Sequence, residues 1–587
     1  MSVEKLITDH IDIWSSALQT RSTAGRGSNG KIDLYGIKKL RELILELAVR
    51  GKLVPQDQND EPASELLKRI AAEKAELVKQ GKIKKQKPLP EISEDEKPFE
   101  LPEGWEWVTL ATIGEIVGGG TPTSENPLYW STQGIKWLTP ADLNGLKGKY
   151  ISSGARDITI DGLSNSSAKL MPKGSVLFSS RAPIGYVAIS NNELSTNQGF
   201  KSCVPYIKES AEYIYYFLLS AAKKIDEMAS GTTFKEVSGA VVSKVLLPFP
   251  PMNEQLRIVE VADDLMSLCD QLEQQSLTSL DAHQQLVGTL LATLTDSQNA
   301  EQLAENWARI SQHFDTLFTT EASIDALKQT ILQLAVMGKL VPQDPNDEPA
   351  SELLKRIEQE KAQLVKEGKI KKQKPLPPVS DEEKPFELPN GWEWCRLAEL
   401  VAIKGGKRVS NGYKLLSEPT PYVYIRVADM KDGTIDLSDL KYIDEDMHQK
   451  IKNYIITKDD IYMTIVGATI GKCGIVPALL DGMNLTENAA RLIPSKLISK
   501  GYLYLCLRSA LCQGQFIDKT MQVGVQKMAL NRLANTFIAL PPTNESLRIK
   551  DVVEEMNNLC SKLVSGIIES QQTQLHLADA LTDAALN

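Results

Sequence analysis

No apolar run in the chain approaches the roughly 18–20 residues that a membrane-spanning helix needs, so the sequence predicts no such helix. The first residues, MSVEKLITDHIDIW, carry acids where a signal peptide would have a basic start and an apolar run. The seven cysteines are odd in number and never spaced CxxC, and the five histidines are scattered from His10 to His576. These absences predict a cytoplasmic protein with reduced thiols and no metal site.

Motifs that would indicate catalysis are also missing. Asn126–Tyr129 reads NPLY and is close to the Asn-Pro-Pro-Tyr of amino-methyltransferases, but Leu128 replaces the second proline and no GxGxxG turn precedes it. The segment GATIGKC at 467–473 is one residue short of a phosphate-binding loop, has Cys in place of the magnesium-binding Ser or Thr, and precedes a predicted strand. Neither a nucleophile elbow nor an HExxH motif occurs. We therefore predict that this chain is not an enzyme and holds no cofactor.

The sequence does contain a domain-sized repeat. GKLVPQDQNDEPASELLKRI begins at Gly51, its near copy begins at Gly338, and 47 of 57 positions are identical up to the shared GWEW. The stretches between the copies, 108–251 (the first module) and 395–542 (the second module), align only in patches such as RAPIGYVAI against GATIGKCGIV. A fixed frame that carries two divergent modules predicts a pseudo-symmetric molecule with two different binding surfaces.

The repeated frame has helical periodicity. Leu40–Val49 and Leu327–Val336 repeat apolar residues every three or four positions. Each module ends in a proline pair, after which Asn253 and Asn544 are predicted N-caps of long helices. A helix from 253 to about 295 would extend roughly 60 Å. Apolar seams run along the two helices, so we expect them to pair antiparallel; the seam residues are Leu265, Leu268 and Leu272 in the first helix and Val552, Met556, Leu559 and Leu563 in the second.

The modules themselves are predicted to mix strands and helices. Runs such as SVLFSS (175–180) and DIYMTIV (460–466) favour strands, and helical patches follow Glu212 and Gly501. The fold class is therefore α+β: two α/β modules separated by a pair of long, antiparallel, coiled-coil-like helices, with repeated helical connectors. The predicted segments are a connector at 1–107, the first module at 108–251, a spacer helix at 252–300, a connector at 301–394, the second module at 395–542 and a spacer helix at 543–587.

Charge separates the modules from the frame. The net charge is −10, but 108–250 holds 13 Lys and Arg against 11 Asp and Glu, and 395–542 holds 19 against 14. The remaining residues hold 34 basic against 51 acidic side chains. Phosphate affinity follows the local field, so the modules and not the frame are the candidates for nucleic acid.

Cations and polar side chains punctuated by glycine are suited to reading DNA phosphates and base edges. Both modules have such segments, including GGGTPTSENPLYW from Gly118, STNQGF from Ser195, KGGKRVSNGYK from Lys404 and QVGVQKMALNRL from Gln522. The predicted DNA-binding residues are Thr121, Thr123, Tyr129, Trp130, Lys136, Arg181, Asn197, Gln198, Thr232 and Lys235 in the first module, and Lys407, Arg408, Lys414, Arg426, Lys472, Gln522, Gln526 and Lys527 in the second.

GGGTPTSENPLYW, GIKWLTPADL, RAPIGYVAI and STNQGF resemble the target-recognition domain of type I restriction-modification specificity subunits. The layout of module, connector, long helix and second module is similar to that family over essentially the whole chain. The second module matches more loosely, because it lacks the GGTP…YW signature.

The resemblance implies a non-catalytic subunit in which each recognition domain reads one half of a bipartite, asymmetric site in double-stranded DNA. It further implies two methylation subunits and two restriction subunits as partners, with S-adenosylmethionine, ATP and magnesium bound by those partners. Two alternatives stay open at this point: a self-sufficient DNA methyltransferase or nuclease with fused recognition domains, and an assembly scaffold without DNA contact.

Overall fold

The computed structural model describes residues 3–21, 31–85, 91–181, 183–231, 235–368, 376–431, 433–516 and 526–586. The chain divides into two compact units, the first comprising Met1–Gln19, Ile32–Leu277 and Gln571–Asn587, and the second Thr20–Lys31 and Thr278–Ser570. The first long helix, Met252–Asp296, begins in the first unit and ends in the second, and the last long helix, Thr543–Leu586, does the reverse. Each unit therefore contains one module, one copy of the repeated frame and part of both long helices.

The first unit mixes helices with two main sheets. A five-stranded sheet has the order Gly114–Gly118, Lys201–Pro205, Val176–Phe178, Val187–Ser190, Tyr150–Ile151, and a four-stranded sheet has the order Ser195–Thr196, Ile135–Leu138, Arg156–Ile158, Trp130–Ser131. Its shorter helices are Val3–Thr8, Ile11–Ser16, Tyr35–Val49, Ala63–Lys79, Leu110–Ile113, Ile160–Ser164, Ala211–Glu227 and Gly239–Ser243. Two further strands are Gln19–Arg21, where the chain leaves the first unit after Gln19, and Lys31–Asp33, where it returns to that unit at Ile32.

The second unit has the same mixture. One four-stranded sheet has the order Val401–Gly405, Ala489–Pro494, Ile461–Thr464, Cys473–Ile475, and another has the order Tyr442–Ile443, Tyr422–Ile425, Met483–Leu485, Ile455–Ile456. Its shorter helices are Ala300–Gln312, Phe314–Leu317, Glu321–Val336, Ala350–Lys366, Leu397–Leu400, Glu445–Ile451, Lys500–Arg508, Ala510–Phe516 and Leu530–Ala534. In the part of the chain that the structure describes, no helix combines the length and the apolar character needed to cross a membrane.

A pair of antiparallel strands closes each module. Glu106–Thr109, at the end of the first connector, pairs with Leu246–Phe249, the strand that leads into the first long helix. Glu393–Arg396 pairs in the same way with Phe537–Leu540 in the second unit. The repeated GWEW therefore ends in a strand that brings together the two ends of a module.

The repeated GKLVPQD segment forms one side of a polar cluster, which we call the first joint (Gln56, Asp60, Trp105, Glu254 and Arg257). Gln56 Nε2 donates to Glu254 Oε1 at 3.1 Å, and the Trp105 indole donates to Glu254 Oε2 at 2.9 Å. Arg257 donates to the buried carboxylate of Asp60 at 2.6 Å. The joint thus fixes the loop of the frame to the first turn of the long helix.

The second unit repeats this arrangement as the second joint (Gln343, Asp347, Trp392, Glu545 and Arg548). Gln343 Nε2 donates to Glu545 Oε1 at 3.1 Å, and Arg548 donates to Asp347 at 2.7 Å. Burial raises the pKa of both Glu254 and Glu545, although hydrogen bonds from Trp105 and Gln56 to Glu254, and from Gln343 to Glu545, act in the opposite direction. The two joints therefore share their glutamine and arginine contacts but differ at the tryptophan, because among the described residues the Trp392 indole N–H is buried without a hydrogen-bond partner.

The turn at the start of each joint explains the repeated glycine. Gly51 has a φ of 66° and Gly338 a φ of 68°, a left-handed conformation that disfavours residues with a Cβ. An added Cβ would also lie 2.5 Å from Pro102 in the first unit and 2.5 Å from Pro389 in the second. Glycine ends each connector helix and turns the chain toward the long helix.

The long helices differ in two details from the sequence-based predictions. The N-cap prediction for Asn253 and Asn544 is wrong, because the helices begin at Met252 and Thr543. The Asn544 side chain instead donates to Asp347 at 3.1 Å. Leu559 is also wrong as a seam residue, since it is 53% exposed.

From the last long helix, Ile549, Val553 and Cys560 are buried in the core of the second unit, and the predicted seam residues Val552, Met556 and Leu563 are partly buried against the same core. The buried residues together with Met556 also step by four, three and four, so the most buried face of the helix is displaced from the predicted seam. Two apolar stripes one residue apart have the same period, so periodicity alone does not choose between them.

In the first unit, the connector helix Tyr35–Val49 binds both long helices. Arg41 donates to Asp270 at 2.6 Å and to Glu273 at 2.8 Å, on the first long helix. Tyr35 donates to Asp579 at 2.7 Å, on the last long helix. Leu265 and Leu272 are buried in the same apolar core as Ala578. The beginning of one long helix and the end of the other are therefore held in one core.

Candidate nucleic-acid interface

A glycine loop follows the first strand of the five-stranded sheet and lies against the backbone of a neighbouring strand. A Cβ on Gly119 would lie 2.0 Å from the carbonyl oxygen of Asn197, a distance that no side chain tolerates. The amide of Gly120 donates to the carbonyl of Thr196 at 2.8 Å, and its carbonyl accepts from the Trp137 indole at 2.9 Å. Close backbone approach therefore requires Gly119, and also Gly120, whose added Cβ would lie 2.4 Å from the Ala168 amide nitrogen, whereas a Cβ on Gly118 would meet nothing closer than 3.8 Å. These contacts fix the position of the residues that follow.

The fixed loop places Thr121 beside Gln198, and the Thr121 hydroxyl donates to the Gln198 side-chain oxygen. Both residues are exposed. Asn197 uses its side-chain oxygen to accept from the amide of Gly199 at 2.9 Å, so it also shapes the turn. Lys201 donates to the Gln198 carbonyl at 3.2 Å. Three residues predicted from two separate segments (Thr121, Asn197 and Gln198) therefore lie together.

A charged group continues this surface. Arg181 donates to Glu236 at 2.7 Å, and Lys201 lies 3.4 Å from the same carboxylate. The Arg181 hydrogen bond lowers the pKa of Glu236, with a smaller contribution from Lys201. Lys235 is exposed and lies 3.8 Å from Asp226. Thr232 is outside the described residues, so its predicted role is not addressed by the structure.

An aromatic corner forms the next part of the first module. The Trp130 indole donates to the Thr123 carbonyl at 3.3 Å and packs edge-on against Trp137, with ring centroids 5.2 Å apart. The Arg156 guanidinium lies 4.1 Å from the Trp130 ring centroid. Lys136 binds the buried carboxylate of Asp157 at 2.7 Å. This corner joins predicted residues to an exposed arginine that the sequence reasoning missed.

Arg156 was identifiable only through strand register. It pairs with Trp137 in the four-stranded sheet, and this pairing brings its guanidinium to the tryptophans. In the same module, Leu128 and Ile160 are each 73% exposed; Leu128 precedes the partly buried Tyr129, and the Thr159 hydroxyl, next to Ile160, donates to the Leu128 carbonyl at 2.8 Å. Trp137 is itself buried, so the accessible groups are the Arg156 guanidinium, the partly buried Trp130 indole and the two exposed aliphatic side chains, which provide stacking and apolar contacts of the kind that nucleic-acid interfaces use.

The second module contains the same close approach, although its sequence lacks the GGTP signature. A Cβ on Gly406 would lie 2.1 Å from the carbonyl oxygen of Thr486, and the amide of Lys407 donates to the Leu485 carbonyl at 2.9 Å. Arg408 then donates through Nε to Glu487 at 2.6 Å. The Lys407 ammonium lies 5.7 Å from the Tyr454 ring centroid. Gly405–Gly406 thus takes the place of Gly118–Gly119.

Two predicted cations of this module differ in their surroundings. Arg426 is bound by the buried carboxylate of Asp429 and by the carbonyl of Asp439, the latter at 2.6 Å. Its hydrogen-bonding capacity is thus largely used inside the module. Lys414 is exposed on the loop that follows the glycines. For both residues, contact with DNA stays a prediction.

The GATIGKC segment is a hairpin between Ile461–Thr464 and Cys473–Ile475, and a strand follows it as predicted. The amide of Gly467 donates to the Gln526 carbonyl at 2.8 Å, so the hairpin touches the segment that contains Gln526 and Lys527. Lys527 is exposed and Lys472 is half-buried. Gln522 lies outside the described residues.

The described residues contain no group of three or more His, Cys, Asp or Glu arranged to hold a metal ion. All seven cysteines are buried, and burial raises the pKa of Cys203 to about 12. Thiols in such surroundings are poor nucleophiles at neutral pH.

A family model and two curated relatives agree on one family. A family model described as Type I restriction modification DNA specificity domain matches residues 102–282 and 389–570. The type I restriction enzyme EcoAI specificity subunit of Escherichia coli is 52% identical, and the EcoEI specificity subunit of the same species is 50% identical, each over 100% of both chains. The structure described as "Structural basis underlying complex assembly and conformational transition of the type I R-M system" holds a chain 18% identical, with a TM-score of 0.49, covering 84% of this chain and 99% of that one.

Proposed function

Because the chain belongs to the family of type I restriction-modification specificity subunits, we propose that it is the DNA-reading subunit of such a system. It is non-catalytic and directs the modification and restriction activities of associated subunits. Each module reads one half of a bipartite, asymmetric site in double-stranded DNA.

The observation that carries this proposal is a shared loop with different side chains. In each module a glycine, Gly119 or Gly406, lies so close to the backbone of a neighbouring segment that no Cβ would fit. This contact holds the residues that follow the glycine at an exposed position. The residues at that position are Thr121 in the first module and Arg408 in the second. A common backbone with different side chains is what two readers of different half-sites require.

We further propose that the two long helices pair antiparallel, in a coiled-coil-like manner, and determine the length of the unread spacer. The helices span 45 and 44 residues and pass between the units in opposite chain order. Their apolar faces supply buried residues to both cores. A rigid helix pair converts chain length into a fixed distance at about 1.5 Å per residue.

The repeated frame is proposed to bind two copies of a methylation subunit and, through the assembled complex, two restriction subunits. Two identical partners need two equivalent surfaces, and the near-identical connectors, which form matching glutamine–glutamate contacts in the two units, support this proposal. S-adenosylmethionine, ATP and magnesium are assigned to these partners. The proposed compartment is the cytoplasm, where partners and DNA meet.

The experiment that tests the function is methylation mapping of a genome that carries this chain with its methylation partner. We expect one bipartite motif with two different halves at constant spacing. A motif without two halves, or methylation that is independent of this chain, contradicts the proposal. Calorimetric titration of the purified chain with S-adenosylmethionine tests the enzyme alternative, since a self-sufficient methyltransferase would bind the cofactor.

A further inference from the structure

The backbone equivalence of the two modules can be followed residue by residue at the glycine loop. Gly119 lies against the carbonyls of Thr196 and Asn197, and Gly406 lies against those of Leu485 and Thr486. One residue further along, Gly120 donates to the Thr196 carbonyl and Lys407 donates to that of Leu485. Thr121 and Arg408, the next residues of the two loops, are therefore at equivalent positions. Gln198 and Glu487 are equivalent too, because each lies two residues beyond the one whose carbonyl accepts the hydrogen bond.

These two positions hold a pair of touching side chains in each module. In the first module the pair is neutral: Thr121 donates to Gln198. In the second module the pair is charged: Arg408 Nε donates to Glu487 Oε1 at 2.6 Å. The backbone geometry is retained while the chemistry changes from a hydroxyl and an amide to a guanidinium and a carboxylate.

The second pair is built differently from an ordinary surface ion pair. The Glu487 side chain is only 25% exposed, and its second carboxylate oxygen lies 3.1 Å from the Thr486 hydroxyl and 3.4 Å from the Tyr424 hydroxyl. Arg408 is 69% exposed, and within the described residues only its Nε takes part in a hydrogen bond. A carboxylate held by its own module thus orients the arginine and leaves both terminal nitrogens of this exposed side chain without a hydrogen-bond partner among the described residues.

We propose that Arg408, oriented by Glu487, recognises guanine in the half-site of the second module, and that Thr121–Gln198 is the equivalent reading pair of the first. This inference rests on the proposed function. An arginine with two free, coplanar nitrogens matches the O6 and N7 acceptors of guanine in the major groove. Fixing the side chain before binding reduces the entropy lost when the contact forms.

The test compares R408A, R408K and E487Q with the wild-type chain, each assembled with the methylation partner. A DNA library randomised in the second half-site is methylated, and the preferred base at each position is read by sequencing. The wild type is expected to require guanine at one position. R408A is expected to reduce that preference about five- to 150-fold, the range typical of one bidentate contact. R408K is expected to lose most of it as well, because an ammonium lacks the planar fork.

E487Q tests the orienting role separately. The amide retains the shape of the carboxylate but loses the charge that holds Arg408, so the preference for guanine is expected to weaken less than in R408A. K431A is the matched control, since Lys431 is another exposed cation of the second module paired with a carboxylate, at 3.7 Å from Asp436. It is expected to leave the base preference unchanged. The first half-site is expected to be unaffected by all four substitutions.

The reciprocal variant T121R/Q198E introduces the charged pair into the first module. It is expected to change the base preference at one position of the first half-site and nowhere else. The inference is overturned if R408A retains the wild-type motif in the second half, or if that half specifies no G·C base pair. If the wild-type complex itself shows no sequence preference, the proposed function fails instead, so the two failures are distinguishable. Thermal denaturation of each variant checks that folding is intact.

Discussion

The hydrogen bond from the Trp105 indole to Glu254, in the first joint, allows a direct test of how strongly the frame stabilises the start of the first long helix. Trp105→Phe removes the indole N–H that donates to Glu254 at 2.9 Å, in a site where the glutamate is buried. A hydrogen bond to a charged group contributes about 1.5–3 kcal/mol, so the first unit is expected to lose about that much stability at pH 7.5. For a unit of this size the loss corresponds to a decrease in Tm of roughly 3–10 °C.

The substitution also removes apolar contacts, among them the edge-on contact of Trp105 with Tyr213 at 6.4 Å between ring centroids. A double-mutant cycle separates the two effects, because W105F/E254Q loses the same packing without a charge to stabilise. The single variant E254Q is expected to be close to neutral, since it replaces a buried carboxylate by an amide of similar shape. The coupling between the two sites is expected to be about 1.5–3 kcal/mol.

The pH dependence has a definite sign. Burial raises the pKa of Glu254 in the folded state, so the stability linked to its protonated form is complete below the unfolded pKa and is lost as pH rises through the folded pKa. Loss of the Trp105 donor raises this folded pKa further. The destabilisation by W105F is therefore expected to be greatest above the raised pKa and to decrease toward about pH 4.3, the ordinary value for glutamate.

Urea denaturation from pH 4.5 to 8, followed by hydrogen exchange of peptides from the first unit, measures these quantities. Exchange is needed because two units need not unfold together, and a single global transition would mix their contributions. A coupling below about 0.5 kcal/mol, or a destabilisation that does not change with pH, would refute a role for the indole in stabilising the buried carboxylate.

Four further predictions concern DNA. Exchange of 108–250 for the matching region of a relative is expected to change one half of the methylated motif, and a change in both halves would contradict modular reading. Arg181→Glu would face Glu236 and is expected to lower DNA affinity about tenfold, as measured by fluorescence anisotropy, whereas R181E/E236R, which restores the ion pair, serves as the folding control. K527E is expected to weaken binding to all sequences and to reduce the salt slope by about one, and wild-type affinity would remove Lys527 from the interface. Insertion of one matched helical turn into both long helices is expected to lengthen the spacer in the motif by about one or two base pairs, since a turn adds about 5.4 Å; an unchanged spacer would contradict the spacing role.

The frame was predictable because its signals are local and repeated. The helix expected from 253 to about 295 is Met252–Asp296, and the apolar periodicity at Leu40–Val49 lies inside Tyr35–Val49. The positions at which helices end or are interrupted were harder to predict from the sequence. The helical patch after Gly501 is split at Ser509, whose ψ of 154° is extended, and nothing in the apolar pattern marks that change.

The candidate interface was only partly predictable, for a physical reason. Composition identified Thr121, Arg181 and Gln198, but their proximity depends on which strands pair, and strand pairing is a long-range property. Arg156 was missed for the same reason, because only its register against Trp137 brings it to the aromatic corner. The equivalence of Gly405–Gly406 with Gly118–Gly119 was hidden because close backbone approach constrains one glycine and leaves its neighbours free to vary.

The paired strands at the base of each module have a consequence for inheritance. Because Glu106–Thr109 lies beside Leu246–Phe249, the chain departs from the frame and returns to it at adjacent points. Foreign DNA encoding another module could therefore recombine into the gene between these points without displacing the connectors. The connectors beside the two modules are nearly identical in amino-acid sequence, so a module from a relative with similar connectors would meet the same flanking residues, and a single exchange would change the specificity.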